Sequence, residues 1–355
     1  MSPFDNPSSS VSRLEASLPC DWQNIRAAKS LAEAKRTELR NALTGLDSED
    51  TSIVVSGSLA RDEFTKGSDI DWSLLVDGSA DPKHHDLRRK IGELIRPLMT
   101  KPPGREGTFA ATVFSHDLVH EIGGENDTNQ NTTRRLLLLL ESRAVGRDDA
   151  YRRVTRHILS RYLQEDRGLW RSSRYHVPRF LQNDFARYWR TITVDFAYKI
   201  RDRAGQGWAI RNMKLRMSRK LIYVSGLLAC FCCHFKFAGD PQVFTDPGRN
   251  KEVAEYLQEL FDMTSLEIVA HVLVDMPHLA GAARKIFDSY DGFLGIIADE
   301  DKRKRLEELK EEEAEKDGVY QEVREYSHVF MSGLLEFFFD IESGMNELTK
   351  NYGVF

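Results

Sequence analysis

The chain has 355 residues, enough for a large core and for two domains rather than one. Its hydrophobic share of 41% and charged share of 30% are those of an ordinary soluble globular protein. The longest apolar run, Leu221 to Phe235, falls short of the ~20 residues a bilayer crossing requires and reads as a buried helix.

Met1 to Ser12 is rich in Ser, Pro and Asn and lacks the basic start and apolar core of a signal peptide, so it reads as a disordered, cytoplasmic N-terminus. Arg13 to Leu46 reads as one or two helices, with Asp21 as a cap for the second and Gly45 as its end. Thr51 to Val55 is a β-branched strand that meets a tight turn at Ser56-Gly57-Ser58. Leu59 to Phe64 fits one or two helical turns. Asp69 to Val76 is a second strand closed by Asp77-Gly78. A helix from His84 to Met99 precedes a loop at Pro102 to Gly104, and Phe109 to Phe114 and Leu118 to Ile122 are candidate strands. After the break at Gly123-Gly124, Asn129 to Arg143 reads as a helix running into a strand, with Leu136 to Leu140 buried.

From Ala150 onward the period is helical, with loops near Gly205-Gln206-Gly207, Gly239 to Gly248 and Gly318. Asp299 to Lys316 is a charge-dense helix or linker, and Tyr326 to Leu348 is an amphipathic helix carrying Phe337, Phe338 and Phe339. Cys230, Cys232 and Cys233 precede His234 on one helical run. A zinc site there would need ligands that point the same way, so these cysteines and Cys20 read as reduced thiols. The organisation is a disordered stretch at 1–12, an α/β head at 13–149 with leading helices, and a helical body at 150–355 with an acidic C-terminal part.

The chemistry is concentrated in Val55 to Val76. Asp69 and Asp71 are one residue apart on a strand, so both carboxylates project to one side while Ile70 and Trp72 face a core. Two adjacent anions repel unless a cation lies between them, and Mg²⁺ takes a few carboxylates plus phosphate oxygens and water. Gly57 lets backbone approach a phosphate, and Ser58 adds a hydroxyl donor. Such parts suit in-line attack on the α-phosphate of a nucleoside triphosphate with two metal ions. Arg61 and Lys66, between the two halves, are placed to neutralise the triphosphate.

The strand ending in Gly57-Ser58, the short helix, and the strand carrying Asp69-Ile70-Asp71 resemble the signature of the DNA polymerase β-like nucleotidyltransferase superfamily. Within it, GSLARDEFTKGSDID is most similar to bacterial uridylyltransferases that modify nitrogen-signalling proteins, and to related nucleotidyltransferases. Arg61, Glu63, Gly67 and Ser68 sit at matching positions, and Ala60 replaces the usual glycine. The resemblance runs from Ser52 to Gly146. It implies an α+β fold, a small mixed-sheet nucleotidyltransferase head with a larger all-α helical body. It implies Mg²⁺ as cofactor (two ions, with Mn²⁺ as the alternative) and a nucleoside triphosphate as donor, with Ser68 joining Gly57, Ser58, Arg61 and Lys66 around the nucleotide. It also implies a third carboxylate beside Asp69 and Asp71. Glu141, in LLLLLESRAVG, matches the corresponding segment, and Glu121 and Asp117 are rivals.

Tyr151 to Lys220 holds 18 Lys/Arg against 5 Asp/Glu in a chain of net charge −5, which points to a polyanionic partner. Arg211 and Lys214, with Arg219 near them, are the candidate substrate-binding cations, and Trp170, Tyr175, Tyr188 and Trp189 could stack on bases. The basic block favours an RNA, DNA or nucleotide acceptor. The motif resemblance implies a protein hydroxyl, and small hydroxylated molecules form a third class. A non-catalytic nucleotide sensor or scaffold is the alternative of another kind.

Overall fold

The computed structural model describes residues 9–99, 110–166, 169, 175–237, 239–240 and 250–353. Residues 1–8, the Pro102 to Gly104 loop, Phe109, Trp170 and most of the Gly239 to Gly248 loop lie outside them. Two leading helices form, α1 (Ser10–Ser17) and α2 (Gln23–Ala42). The Ser9 side chain accepts from the Ser12 N–H, so the last residues of the expected irregular stretch are already helical.

Four strands make one sheet in the order β3-β2-β1-β4: β1 (Thr51–Ser56), β2 (Asp71–Val76), β3 (Ala111–Phe114) and β4 (Ser142–Ala144). Both β2 and β4 run antiparallel to β1, while β3 is parallel to β2, so the sheet is mixed. Its register sets Val55 opposite Trp72 and Ser56 opposite Asp71. On one face Ile53, Val55, Trp72, Leu74 and Val76 pack with Leu39 and Leu43 of α2 and with Ile91 and Ile95 of α3 (Lys83–Ile95). Burying each such side chain stabilises by about 1.5–3 kcal/mol, which holds the register against a one-residue slip.

The parallel β3 displaces one expectation. Leu118 to Ile122 is not a strand: α4 (Ser115–Val119) follows β3 directly. Leu118 and Val119 are both buried, and the short apolar run that reads as a strand is the inward side of one helical turn. Then α5 (Asn129–Leu140), capped by Thr128, runs into β4, and Leu136 to Leu140 are buried.

The remainder is helical: α6 (Asp149–Glu165), α7 (Arg179–Asp202), α8 (Trp208–Lys214), a π-helical turn at Leu215–Arg219, α9 (Lys220–Phe237), α10 (Asn250–Phe261), α11 (Ser265–Val274), α12 (Ala280–Ala298), α13 (Glu300–Glu308), α14 (Glu311–Ala314), α15 (Gly318–Phe338) and α16 (Met345–Leu348). The chain is therefore α+β, a small mixed sheet with a larger all-α part. The expected Tyr326 to Leu348 helix is in fact two. Asp317 caps α15 at Gly318, and Gly344, at φ +75°, separates it from α16. Trp208–Phe237 is continuous and apolar enough to cross a membrane by length and composition, with 72% of its most apolar window buried inside the protein.

Two compact units emerge, each discontinuous in sequence. One gathers Met1–Ala27, Trp189–Leu228 and Ser265–Phe355, and the other Ala28–Tyr188 and Ala229–Thr264. In the first, α12 and α15 bury Tyr290, Phe293, Phe330 and Phe337. They approach so closely that a Cβ at Gly333 would lie 2.9 Å from the Ala282 carbonyl oxygen. The second holds the sheet.

Candidate active site

Asp71 opens β2, and Asp69 lies two residues before the strand begins, so the expected strand from Asp69 starts later than its sequence suggests. Ile70 and Trp72 are buried, Asp69 is exposed and Asp71 is partly so. Directly opposed strand residues project to the same side, so Asp71 shares its face with Ser56. Gly57 follows at φ +71°, and a Cβ there would sit 3.4 Å from Asp71 Oδ2. Glycine thus serves both the left-handed turn and the room beside the carboxylate. A 3₁₀ turn at Gly57–Leu59 carries Ser58, and the Ala60 and Arg61 N–H groups both donate to the Gly57 carbonyl. Only this turn is helical: the chain bends again at Asp62, φ 61°.

The other residues drawn from the motif are used differently. Arg61 is buried between two carboxylates, donating to Glu63 (3.1 and 2.8 Å) and ion-paired with Glu141. Glu141, at the C-terminal cap of α5, also accepts from the Tyr188 hydroxyl at 2.8 Å. Both of its carboxylate oxygens are therefore engaged by protein side chains. Ser68 is buried and accepts from the Thr65 N–H at 3.1 Å, closing the turn before Asp69. Lys66 is exposed. Of the rivals, Asp117 lies on α4 and Glu121 just beyond it. Among the described residues, no group of three or more His, Cys, Asp or Glu is arranged to hold a metal ion.

A latch around this turn escaped sequence reasoning. Arg36 of α2 pairs with Asp62 at 2.6 Å and donates to the Leu59 carbonyl, while Arg143 of β4 donates to the Ala60 carbonyl at 2.9 Å. The Gly57 N–H donates to the Glu141 carbonyl at 3.1 Å. These bonds fix the backbone on both sides of Ser58 from α2, β4 and the C-terminal cap of α5. No local pattern announces such partners.

A cavity of about 20 Å³ lies on the sheet face that carries Asp71. It is lined by Ser56 of β1, Ser73 of β2, and Arg134, Leu137 and Leu138 of α5, with Val54, Leu75, Val113 and Leu118 around them. One signal for Arg134 was available. It stands three and four residues before Leu137 and Leu138, on the helix face that packs against the sheet.

Arg211 and Lys214 lie on α8, in the compact unit without the sheet. Arg211 donates to the Gln206 carbonyl at 3.2 Å. Of the aromatic residues, Tyr188 is buried on Glu141, Trp189 stacks on Tyr223 at 5.8 Å, and Tyr175 meets His234 edge-on at 5.4 Å. Much of the basic block is matched by carboxylates outside it: Arg152 by Asp148 and Asp262, Arg153 by Asp50 and Asp77, and Arg187 by Asp127. The four cysteines are free, and burial pushes the Cys232 thiol up to about 12, as expected of inert core thiols.

A family model described as a nucleotidyltransferase domain matches residues 36–103, a stretch that contains the end of α2, β1, the Gly57 turn and both aspartates. Neither the curated proteins nor the solved structures provide a match to the chain. The domain match supports the polymerase β-like superfamily and nucleotidyl transfer in general.

Proposed function

We propose that the chain is a divalent-metal-dependent nucleotidyltransferase, moving a nucleoside monophosphate from a nucleoside triphosphate to a hydroxyl acceptor with release of pyrophosphate. The observation that carries this is Asp71, set opposite Ser56 with its carboxylate against Gly57, inside the stretch that matches the domain. Asp69 and Asp71 suit Mg²⁺, or Mn²⁺ in its place, because two carboxylates one residue apart and reached by solvent leave the remaining positions to phosphate oxygens and water. When bound, the ion supplies charge stabilisation at the phosphorus under attack. The chain's own groups hold the donor. Gly57 clears backbone for a phosphate, and Ser58 offers a hydroxyl from a turn that is latched on both sides.

Glu141 is bound to Arg61 and Tyr188, which supports a positioning role beneath the turn rather than the third-ligand role that the resemblance implies. Exposed Lys66 remains on hand for the triphosphate, while Arg61 and Ser68 act by holding the loop. For the acceptor, the basic residues of 151–220, Arg211 and Lys214 among them, favour a nucleic-acid end or another nucleotide over a protein hydroxyl.

The test is incubation with Mg²⁺ and each α-³²P-labelled nucleoside triphosphate, with total RNA or cell extract, against an Asp69→Ala control. Label should enter RNA or a nucleotide product. Label in protein instead would move the acceptor to a side-chain hydroxyl. Triphosphate binding with no label transferred to any fraction would leave a sensor or scaffold.

A further inference from the structure

We infer that Arg134, with the hydroxyls of Ser56 and Ser73, forms a pocket that receives an oxygen of the terminal phosphates of the donor triphosphate. This rests on the nucleotidyl-transfer reading above. The sequence offers Arg61 as the phosphate cation, yet Arg61 is closed between Glu63 and Glu141. Lys66 is exposed, and Arg134 is the cation that lines the cavity on the Asp71 face.

Three further observations converge on the cavity. Ser56 and Ser73 both line it, and Ser56 is the cross-strand partner of Asp71. Ser73 follows Asp71 by two residues, about 7 Å along the strand on the same face. Among the described residues, neither serine has a side-chain hydrogen-bond partner, although Ser56 is only 7% exposed. Two hydroxyls and a guanidinium thus converge on a space of about 20 Å³, room for one oxygen-sized group and far too little for a base.

The guanidinium keeps its place at a cost. Burial works against its charge, and the Asp117 carboxylate partly offsets this. A phosphate oxygen entering the cavity would accept from Arg134 and from both hydroxyls. The apolar walls, Val54, Leu75, Leu137 and Leu138, exclude competing water. Because the pocket lies farther down β2 than the carboxylates, it takes an oxygen of the phosphates beyond the reacting one, the part that leaves as pyrophosphate.

The experiment measures Mg²⁺-dependent binding of inorganic tripolyphosphate, the four nucleoside triphosphates and the matching monophosphates to the full chain. Arg134→Gln should weaken triphosphate and tripolyphosphate binding by about tenfold to a hundredfold and monophosphate binding by less than about threefold. Ser56→Ala/Ser73→Ala, which removes only two hydroxyls, should show the same selectivity at smaller size. On the wild-type protein, tripolyphosphate should protect Arg134 from phenylglyoxal, read by mass spectrometry, so the result does not depend on any variant folding.

Unchanged triphosphate affinity in Arg134→Gln, or no protection of Arg134, would overturn the pocket and leave the nucleotidyl-transfer reading standing. Equal losses for mono- and triphosphates would overturn the assignment to terminal phosphates. A folded wild-type chain that binds no triphosphate would remove the pocket and the reading together.

Discussion

Asp69, Asp71 and Glu141 show how one residue type takes different work from its surroundings. Asp69 is exposed and Asp71 partly so, and removing either relieves anionic repulsion without opening a cavity in the apolar core. Asp69→Ala and Asp71→Ala are expected to lower transfer at least about a hundredfold, with the melting temperature unchanged or raised. Full activity in the double variant would end the metal-site assignment. Glu141 is the opposite case, since its loss leaves Arg61 buried with Glu63 alone. Breaking one side of a buried ion pair costs about 3–5 kcal/mol, so Glu141→Gln should fall in urea stability before it falls in chemistry. Normal stability with a turnover defect that high Mg²⁺ rescues would return Glu141 to the metal.

The turn between β1 and β2 concentrates the demands on local structure. Gly57 adopts a left-handed conformation at φ +71° while leaving the side of Asp71 clear. Gly57→Ala should cost about 1–2 kcal/mol from the backbone alone. It should also lower kcat/KM more than stability predicts, because the new methyl meets Asp71 Oδ2. Parallel losses of stability and activity would make the glycine merely conformational. The turn's contacts give the motif residues Arg61 and Ser68 a structural use: Arg61 pairs with Glu63, and Ser68 accepts from the Thr65 N–H just before Asp69. Further along, α5 links two tasks, since Arg134 lines the cavity while neighbouring Arg135 is buried against Asp127, Asp184 and the Tyr162 hydroxyl.

Charge across the chain sets two expectations. His234 and His271 are both held below the ordinary histidine value of 6.5, chiefly by burial, and His176 adds to this for His234. The unfolded chain therefore binds protons more readily, and stability present above pH 6.5 is lost as pH falls through the folded values. Asp127 adds a second loss below its ordinary 3.8. Burial would raise it, but hydrogen bonds from Arg135 and the Gly123 N–H carry the net shift down. Melting temperatures should fall from pH 7 to 5, and His234→Asn/His271→Asn should flatten that slope. An equally steep slope in the double variant would assign the loss to other groups. For an acceptor strand, Arg211→Gln/Lys214→Gln should reduce the logarithmic salt slope by about 1.4. An unchanged slope would make α8 a solvated surface. The positive run of 151–220 acts more weakly than its count, because Asp50, Asp77, Asp127, Asp148 and Asp262 pair with its arginines.

The strand, turn and Asp-x-Asp register could be read from the chain because they depend on sterics and alternation over a few residues. Gly57, Ile70 and Trp72 each announce their conformation or face locally. Helical period likewise carried the body after Ala150, and failed where consecutive burial at Leu118 and Val119 mimicked a strand. Which arginine lines the cavity on the Asp71 face is another kind of question. Arg61 meets Glu141 across 80 residues, and Ser56, Ser73 and Arg134 share a cavity only once β1, β2 and α5 are packed. An ion pair or a pocket is set by the distance between groups after folding, and the spacing of letters along the chain carries no trace of it.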